Sequence, residues 1–180
     1  RSATAFAESN IKNKDLVGVP WRVAFALQSA GWWLRSDIIW HKPNPMPESV
    51  TDRPTKAHEY IFLFTKSARY FYDAQAISEQ SVRAGETVIV TDRRNKRSVW
   101  TVNTKPYSAA HFATFPAALI TPCILAGSRP GDIVLDPFAG SGTTGQVAVE
   151  TGRRAVLCEL SEKYIGLIKA RTTTTIGLGL

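Results

Sequence analysis

Apolar and polar positions form their clearest pattern late in the chain, where an apolar segment runs into a glycine-rich turn. Residues 133–135, Ile-Val-Leu, have the uninterrupted apolar character of a buried strand. Asp136 and Pro137 follow, and proline cannot donate to a strand ladder. Glycines then permit a tight turn, and residues 146–150 predict the body of a helix. A strand, a carboxylate at its tip, a glycine turn and a helix N-terminus together predict a ligand cradle.

The first half of the chain carries signals for one helix and several strands. Residues 21–30 predict a helix with Pro20 in its first turn. Residues 37–40 predict a strand, which a proline-rich loop follows. Residues 60–64 and 70–72 predict an antiparallel strand pair.

The middle of the chain is more polar, and residues 76–105 show little periodicity. Pro116 then opens a predicted helix that Pro122 is expected to kink. Beyond the cradle, residues 155–158 predict a second strand.

Glycine spacing in the cradle matches more than one kind of nucleotide site. Gly140, Gly142 and Gly145 satisfy the dinucleotide pattern G-x-G-x-x-G, and Glu159 follows at the tip of the second strand. Gly140 and Gly145 also have phosphate-loop spacing. Residues 146–147, Gln-Val, stand where that loop needs lysine and a hydroxyl residue, which excludes the phosphate loop.

Two features argue against a nicotinamide site. Asp136 places a negative charge where a pyrophosphate would need only backbone N–H groups, and it suits a ligand with a cationic end, such as the amino group of a methionine moiety. Only one further strand and one helix follow, which is too little chain to complete a dinucleotide domain in the usual order. Glu159 can accept hydrogen bonds from both hydroxyls of a ribose in either case.

Several segments together resemble one protein family. Residues 136–144, Asp-Pro-Phe-Ala-Gly-Ser-Gly-Thr-Thr, resemble the cofactor motif of S-adenosylmethionine-dependent DNA methyltransferases that modify exocyclic amines, the N6-adenine and N4-cytosine enzymes. Residues 36–45 resemble the family's strand and proline-rich loop beside the target-base pocket. Residues 58–67 and 69–73 resemble its antiparallel strand pair, and residues 111–116 resemble the segment that helps hold the methionine end of the cofactor.

The resemblance implies a fold and an order of parts. It implies a single α/β domain over residues 1–180, Rossmann-like, with a mostly parallel sheet, an antiparallel strand pair and helices on both faces. The order is that of the permuted branch, with a target-base half at 15–75, a short polar recognition insert at 76–105 and a cofactor-binding half at 106–171. S-adenosylmethionine is the implied cofactor, and DNA is the implied partner.

The resemblance also implies roles for individual residues. Asp136 and the turn at Gly140 and Gly142 would hold the methionine portion of the cofactor, and Glu159 would hold the ribose. The full cofactor set is Asp136, Phe138, Ala139, Gly140, Ser141, Gly142, Thr143, Glu159, His111, Phe112 and Thr114. The set implied for the target-base pocket is Trp40, His41, Lys42, Pro43 and Asn44. Phe112 could instead pack under the helix that follows it, and the proline-rich loop could simply be rigid.

One element of the family pattern is absent. The family carries the signature (Asp/Asn/Ser)-Pro-Pro-(Tyr/Phe/Trp), whose polar groups accept hydrogen bonds from the target amine and whose aromatic ring stacks on the flipped base. Residues 44–47, Asn-Pro-Met-Pro, come nearest and lack both the paired prolines and the aromatic ring. We therefore expect no catalytic residue in this chain, with the signature upstream of Arg1 in a longer enzyme.

The absent signature has a structural consequence. Its strand would lie between the strand that ends at Asp136 and the strand at 37–40, so a central strand of the sheet is expected to be missing. A missing central strand leaves rows of unpaired backbone groups, which is unfavourable when they are buried. Residues 1–14 or a second copy of the chain could fill this gap.

Charge and cysteine content narrow the class of partner. The formal net charge of +7 and a pI near 9.6 favour a polyanionic partner. Four basic residues near Trp100 are either phosphate contacts or a solvated loop: Arg93, Arg94, Lys96 and Arg97. Cys123 and Cys158 lie in apolar runs and predict reduced core thiols of a cytoplasmic protein. No apolar run reaches membrane-spanning length, no metal site is predicted, and a homodimer is compatible with the sequence.

The resemblance implies a site-specific DNA methyltransferase of the kind found in restriction–modification systems. It would move a methyl group from S-adenosylmethionine to N6 of adenine or N4 of cytosine. An RNA or protein methyltransferase could use a similar glycine loop but would not be expected to share residues 41–45 and 58–60. A non-catalytic remnant that binds the cofactor or nucleic acid is the alternative from a different class.

Overall fold

Helices and strands alternate in the last third of the chain, whereas five strands follow one another in the part before it. The computed structural model describes residues 11–82, 89–104 and 114–173. The elements in chain order are α1 (Val19–Ser29), β1 (Trp33–His41), β2 (His58–Thr65), β3 (Glu79–Val82), β4 (Ile89–Arg94), β5 (Val99–Thr101), α2 (Ala117–Gly127), β6 (Ile133–Asp136), α3 (Thr143–Glu150), β7 (Arg154–Leu157) and α4 (Glu162–Thr172). This order confirms the predicted α/β class. None of the helices in the described ranges is long and apolar enough to cross a membrane.

The strands form three sheets among the described residues. One sheet has the order β2-β1-β5, a second pairs β3 with β4, and a third pairs β6 with β7. β1 and β5 run parallel, as do β6 and β7, whereas β3 and β4 run antiparallel. Within the described residues no strand joins the β6–β7 sheet to the three-stranded sheet. Such a separation is what a missing central strand would produce.

The described residues divide into two compact units. One unit holds the residues up to Ser36 together with Phe62–Ala68, and the other holds Asp37–Ile61 and the residues from Arg69 onward. Aromatic contacts dominate the first unit. The rings of Trp21 and Phe62 meet edge to face at 4.9 Å, and those of Trp32 and Phe64 meet at 6.4 Å.

The second unit contains two apolar clusters that share α2. Leu119 of α2 packs with the buried rings of Trp40 and Trp100. Ile124, further along the same helix, packs with Val147 and the neighbouring alanine of α3. Since these two positions are five residues apart, α2 presents different faces to the two clusters. Pro116 is the N-cap of α2, as predicted, and the helix continues through Pro122.

Helices α2 and α3 cover one face of the β6–β7 sheet. Val134 and Ala155 point to that face and pack against the cluster around Val147. The alternate positions of the strands lie on the opposite face, where Ile133 and Leu135 are 56% and 61% exposed. An apolar strand face therefore remains open to solvent among the described residues.

The predicted strand pair at 60–64 and 70–72 is wrong in its second member. β2 pairs with β1, and residues 70–72 form no strand. Tertiary contacts hold this segment elsewhere, because the Asp73 N–H donates to the carbonyl of Ala126 at 2.9 Å and the Arg129 guanidinium lies 4.0 Å from the centre of the Phe71 ring. β3 and β4 do pair antiparallel, and they lie inside the stretch of sequence that showed little periodicity.

The expectation that both cysteines are core thiols is wrong for Cys158, which is exposed at the end of β7. The burial pattern of β7 alternates, so its apolar run does not lie wholly inside the core. Cys123 is partly buried on α2, and burial raises the pKa of its thiol to about 11.

Candidate cofactor site at the ends of β6 and β7

Asp136 is the last residue of β6, and its side chain organises the turn that follows. Its Oδ1 accepts a hydrogen bond from the Phe138 N–H at 3.0 Å. Its backbone carbonyl accepts from the Cys158 N–H at 2.9 Å, and the Cys158 carbonyl accepts from Ala139 N–H at 2.9 Å. The turn is thereby tied to the end of β7 on both sides of Pro137, which has no N–H to contribute.

The glycine turn then leads into α3 with a left-handed backbone. Gly140 and Gly142 have φ of 52° and 82°, values that residues with a Cβ rarely adopt. A Cβ on Gly142 would also lie 3.1 Å from Ile168 of α4. Gly142 is the N-cap of α3 and provides no side-chain hydrogen bond to the first turn of the helix. The predicted turn and helix N-terminus are therefore formed.

Glu159 closes the turn from the side of β7. Its Oε2 accepts from the Gly140 N–H and its Oε1 from the Ser161 N–H, each at 2.8 Å. The hydrogen bond from Ser161, and then that from Gly140, lower the pKa of Glu159 below its ordinary value. The side chain is therefore ionised at neutral pH.

The other predicted cofactor residues differ widely in exposure. Phe138 is 88% exposed beside the turn, whereas Ala139, Ser141 and Thr143 are 6%, 5% and 4% exposed. Ser141 directs its hydroxyl inward, at 3.5 Å from that of Thr143. The buried side chains therefore shape the turn from behind, and Phe138 stands on its open side.

Three predicted cofactor residues precede α2. Thr114 is partly buried, and His111 and Phe112 lie outside the described residues. Next to the turn, residues of α2 and β6 line an open cleft of about 490 Å³. Its lining is mostly apolar and includes Phe115, Ile120 and Leu135, with Asp136 as the one carboxylate. No cluster of three or more His, Cys, Asp or Glu that could hold a metal ion occurs in the described part of the chain.

On the target side, the predicted pocket residues start inside the core. Trp40 is only 5% exposed, and its Nε1–H donates to the carbonyl of Val102 at 2.8 Å. Lys42 forms an ion pair with Glu59, and its Nζ lies 4.3 Å from the centre of the Trp40 ring. The Trp40 ring therefore packs beneath the loop instead of forming its open surface.

The loop itself is exposed and is tied to the segment after β5. Nδ1 of His41 lies 3.1 Å from the Thr101 hydroxyl. Asn44 donates to the Thr104 carbonyl at 3.2 Å and accepts from the Thr104 N–H at 2.9 Å. Pro43, between them, is exposed.

The basic cluster lies on β4 and just after it, and much of its charge is already paired. Arg94 and Arg97 share one oxygen of Glu79, at 3.0 and 2.7 Å. Partial burial alone would raise the pKa of Glu79, but hydrogen bonds from Arg97 and Arg94 outweigh it and lower this pKa. Arg93 donates to the Ser78 hydroxyl at 2.6 Å, and the Lys96 ammonium lies 5.2 Å from the centre of the Trp100 ring.

Comparison with known proteins shows the family to which the chain belongs. A family model described as DNA methylase, of the N6 and N4 type, matches residues 3–170. The chain belongs to the DNA methylase family. The type II methyltransferase M.Cfr9I of Citrobacter freundii is 56% identical over 157 residues, 87% of this chain and 50% of the relative. M.SmaI of Serratia marcescens is also 56% identical, over 89% of this chain and 53% of its own length. This methylase chain thus spans about half the length of the relatives it matches.

Solved structures agree with the fold of this chain. The M1.HpyAVI–SAM complex superposes with a TM-score of 0.65 and 24% identity, over 89% of this chain and 72% of that one. The cytosine-N4-specific PvuII DNA methyltransferase superposes with a TM-score of 0.70 and 22% identity, over 89% of this chain and 61% of that one. These likenesses support the Rossmann-like methyltransferase fold.

The roles of two residues near the site were not anticipated from the sequence. Arg171 of α4 donates to Ser141 in the turn, and Gln146 of α3 accepts from the same guanidinium. Neither belongs to a short motif, and 25 residues separate them. Only the packing of α4 on α3 brings them together.

Proposed function

We propose that this methylase chain binds S-adenosylmethionine at the ends of β6 and β7 and serves the transfer of its methyl group to an exocyclic amine of DNA. The main support for this proposal is a pair of carboxylates, Asp136 and Glu159. They lie at the carboxyl ends of adjacent parallel strands, with the glycine turn between them. A ligand that has a cationic end and a ribose fits this pair. The family and the type II methyltransferase relatives support the same assignment.

The residues present fit that cofactor group by group. Asp136 suits the ammonium of the methionine end, because its Oδ2 is not used in the bond to the Phe138 N–H. Glu159 is ionised and suits the ribose hydroxyls, since a carboxylate at the tip of the second strand can accept hydrogen bonds from both of them. Phe138 offers an exposed aromatic face beside the turn. When bound, S-adenosylmethionine supplies a methyl group made electrophilic by its sulfonium.

On the acceptor side, this chain supplies support for the target base. The ion pair of Lys42 and Glu59 and the bonds between Asn44 and Thr104 hold the exposed loop over the buried Trp40. We propose that this loop borders the target base in the complete enzyme. The groups that accept hydrogen bonds from the target amine are expected in residues outside this chain.

The methylated nucleoside that forms identifies both the nucleic acid and the base that accept the methyl group. The chain and the full-length parent enzyme are each incubated with methyl-labelled S-adenosylmethionine and either DNA or RNA, and the nucleosides are analysed by mass spectrometry. We expect N4-methylcytosine or N6-methyladenine with the full-length parent. Label in RNA and none in DNA would replace the proposal by an RNA methyltransferase. Cofactor binding without any transfer by the parent would identify a non-catalytic remnant.

A further inference from the structure

Arg171, near the end of α4, makes a dense set of hydrogen bonds to the back of the glycine turn. Its Nη1 donates to the Ser141 carbonyl at 3.1 Å and to the Ser141 hydroxyl at 2.9 Å. Its Nε and Nη2 both donate to Oε1 of Gln146, at 2.9 and 2.7 Å. The guanidinium therefore joins α4 to the turn and to the first half of α3 at once.

The bond to Ser141 fixes one peptide group of the turn at both ends. The carbonyl of the Ser141–Gly142 peptide accepts from Arg171, and its N–H donates to the Ala139 carbonyl at 2.8 Å. The preceding turn residue, Gly140, is fixed through its N–H by Glu159. Because Gly140 and Gly142 have wide backbone freedom, these external bonds select the one conformation that forms the turn.

Packing places α4 directly behind this part of the turn. A Cβ on Gly142 would lie 3.1 Å from Cα of Ile168, and a Cβ on Gly145 would lie 2.9 Å from Cγ2 of Thr172. Since the helix already approaches this closely, Arg171 reaches Ser141 without moving either element. The side chain is partly buried, which limits competition from water.

We propose that Arg171 is a positioning residue that holds the cofactor turn in its ligand-ready conformation. This inference rests on the proposed binding of S-adenosylmethionine at that turn. Arginine is required because its fork addresses Ser141 and Gln146 together, whereas the ammonium of lysine is a single point donor on a flexible stem. The charge alone is therefore not sufficient.

The test compares Arg171→Lys with Lys169→Ala, which changes an exposed basic residue of the same helix. Dissociation constants for S-adenosylmethionine are measured by calorimetry, and amide hydrogen exchange of the unliganded chain is followed by mass spectrometry. Arg171→Lys should weaken the binding of S-adenosylmethionine about tenfold, which corresponds to the loss of one or two hydrogen bonds. Exchange should accelerate in residues 138–146 and not in β1. Lys169→Ala should match wild type in both measurements.

Gln146→Leu provides a second variant, since it removes another partner of the guanidinium while Arg171 stays. It is expected to change both measurements in the same direction as Arg171→Lys, by a smaller factor. Wild-type exchange and affinity in Arg171→Lys would overturn the inference, as would faster exchange spread over the whole chain. If wild type itself binds no S-adenosylmethionine, the proposed function fails, and the exchange of residues 138–146 still decides whether Arg171 orders the turn.

Discussion

Asn44 stands between two prolines, and its side chain supplies the hydrogen-bonding groups that the backbone there lacks. Pro43 and Pro45 have no N–H, so the loop cannot continue the ladder between β1 and β5. The carboxamide of Asn44 presents a donor and an acceptor side by side, as a peptide group does, and pairs with both backbone groups of Thr104. A residue predicted for the base pocket therefore also anchors the loop.

Replacing Asn44 with aspartate is expected to destabilise the chain by about 1 kcal/mol, since the donor to the Thr104 carbonyl is lost and a carboxylate oxygen faces that carbonyl. Thr104→Ala is the matched comparison, because it keeps both backbone bonds and removes only a hydroxyl bond of 3.3 Å to the Asn44 carbonyl. Urea unfolding measures both. A larger loss for Thr104→Ala than for Asn44→Asp would contradict this account of the loop.

Glu159 should make the stability of the chain depend on pH. Its pKa is lowered in the folded state, so its stabilising effect is complete above its unfolded pKa of about 4.3 and is lost as pH falls through the folded value. Glu159→Gln should therefore melt at a lower temperature than wild type at pH 7, and the gap should shrink as the pH is lowered toward 3. Melting curves at several pH values test this. A gap that stays constant or widens at low pH would contradict the role of the carboxylate.

At this scale, sequence reasoning succeeds where a role follows from chain neighbours. Asp136, Gly140 and Gly142 are contiguous with a strand tip, so their place in a turn could be predicted. The burial of Trp40 could not, because its partner Trp100 lies sixty residues away. Arg171 was missed for the same reason.

At the scale of elements, α3 is held between β7 and α4 by a glycine. A Cβ on Gly145 would lie 2.4 Å from Cδ1 of Leu157 and 2.9 Å from Cγ2 of Thr172. Gly166, inside α4, has nothing within 4 Å of the same position. One glycine is thus required by packing, and the other is not.

Alanine at these two positions should have opposite effects. Gly145→Ala is expected to destabilise by about 1–3 kcal/mol through overpacking, which outweighs the better helix propensity of alanine. Gly166→Ala should stabilise by up to about 1 kcal/mol. Chemical denaturation of the two variants measures these effects, and equal effects of the same sign would show that β7 and α4 do not lie this close to α3.

Sequence reasoning missed β3, β4 and β5, and β3 is the most polar of these strands. β3, with the sequence Glu-Gln-Ser-Val, has no apolar alternation and is paired instead by cross-strand groups. Glu79 lies opposite Arg94 in the ladder and forms an ion pair with it. Strands stabilised in this way give no periodic signal, whereas the apolar β6 was evident from its composition.

At the scale of the whole molecule, the net charge of +7 bears on the proposed partner. Binding to DNA should weaken with salt, because each phosphate contact contributes about −0.9 to the slope of log affinity against log salt. Arg93→Ala should reduce this slope by about one if the residue contacts a phosphate. Fluorescence anisotropy with labelled duplex DNA, from 50 to 200 mM salt, measures the slope. A slope near zero for wild type would contradict DNA contact through the basic cluster.

We propose above all that Asp136 and the glycine turn bind S-adenosylmethionine. Calorimetric titration of wild type, Asp136→Asn and Asp132→Asn tests it most directly. Both changes replace a carboxylate by an isosteric amide. Asp136 is the last residue of β6, whereas Asp132 directly precedes its first residue, at the end of the strand away from the turn. There the Asp132 side chain accepts a hydrogen bond from the Arg129 N–H at 2.7 Å. Wild type and Asp132→Asn are expected to bind alike, and Asp136→Asn about tenfold more weakly, because the charge that faces the ammonium is lost. No binding by wild type, or equal affinity of Asp136→Asn and wild type, would contradict the claim.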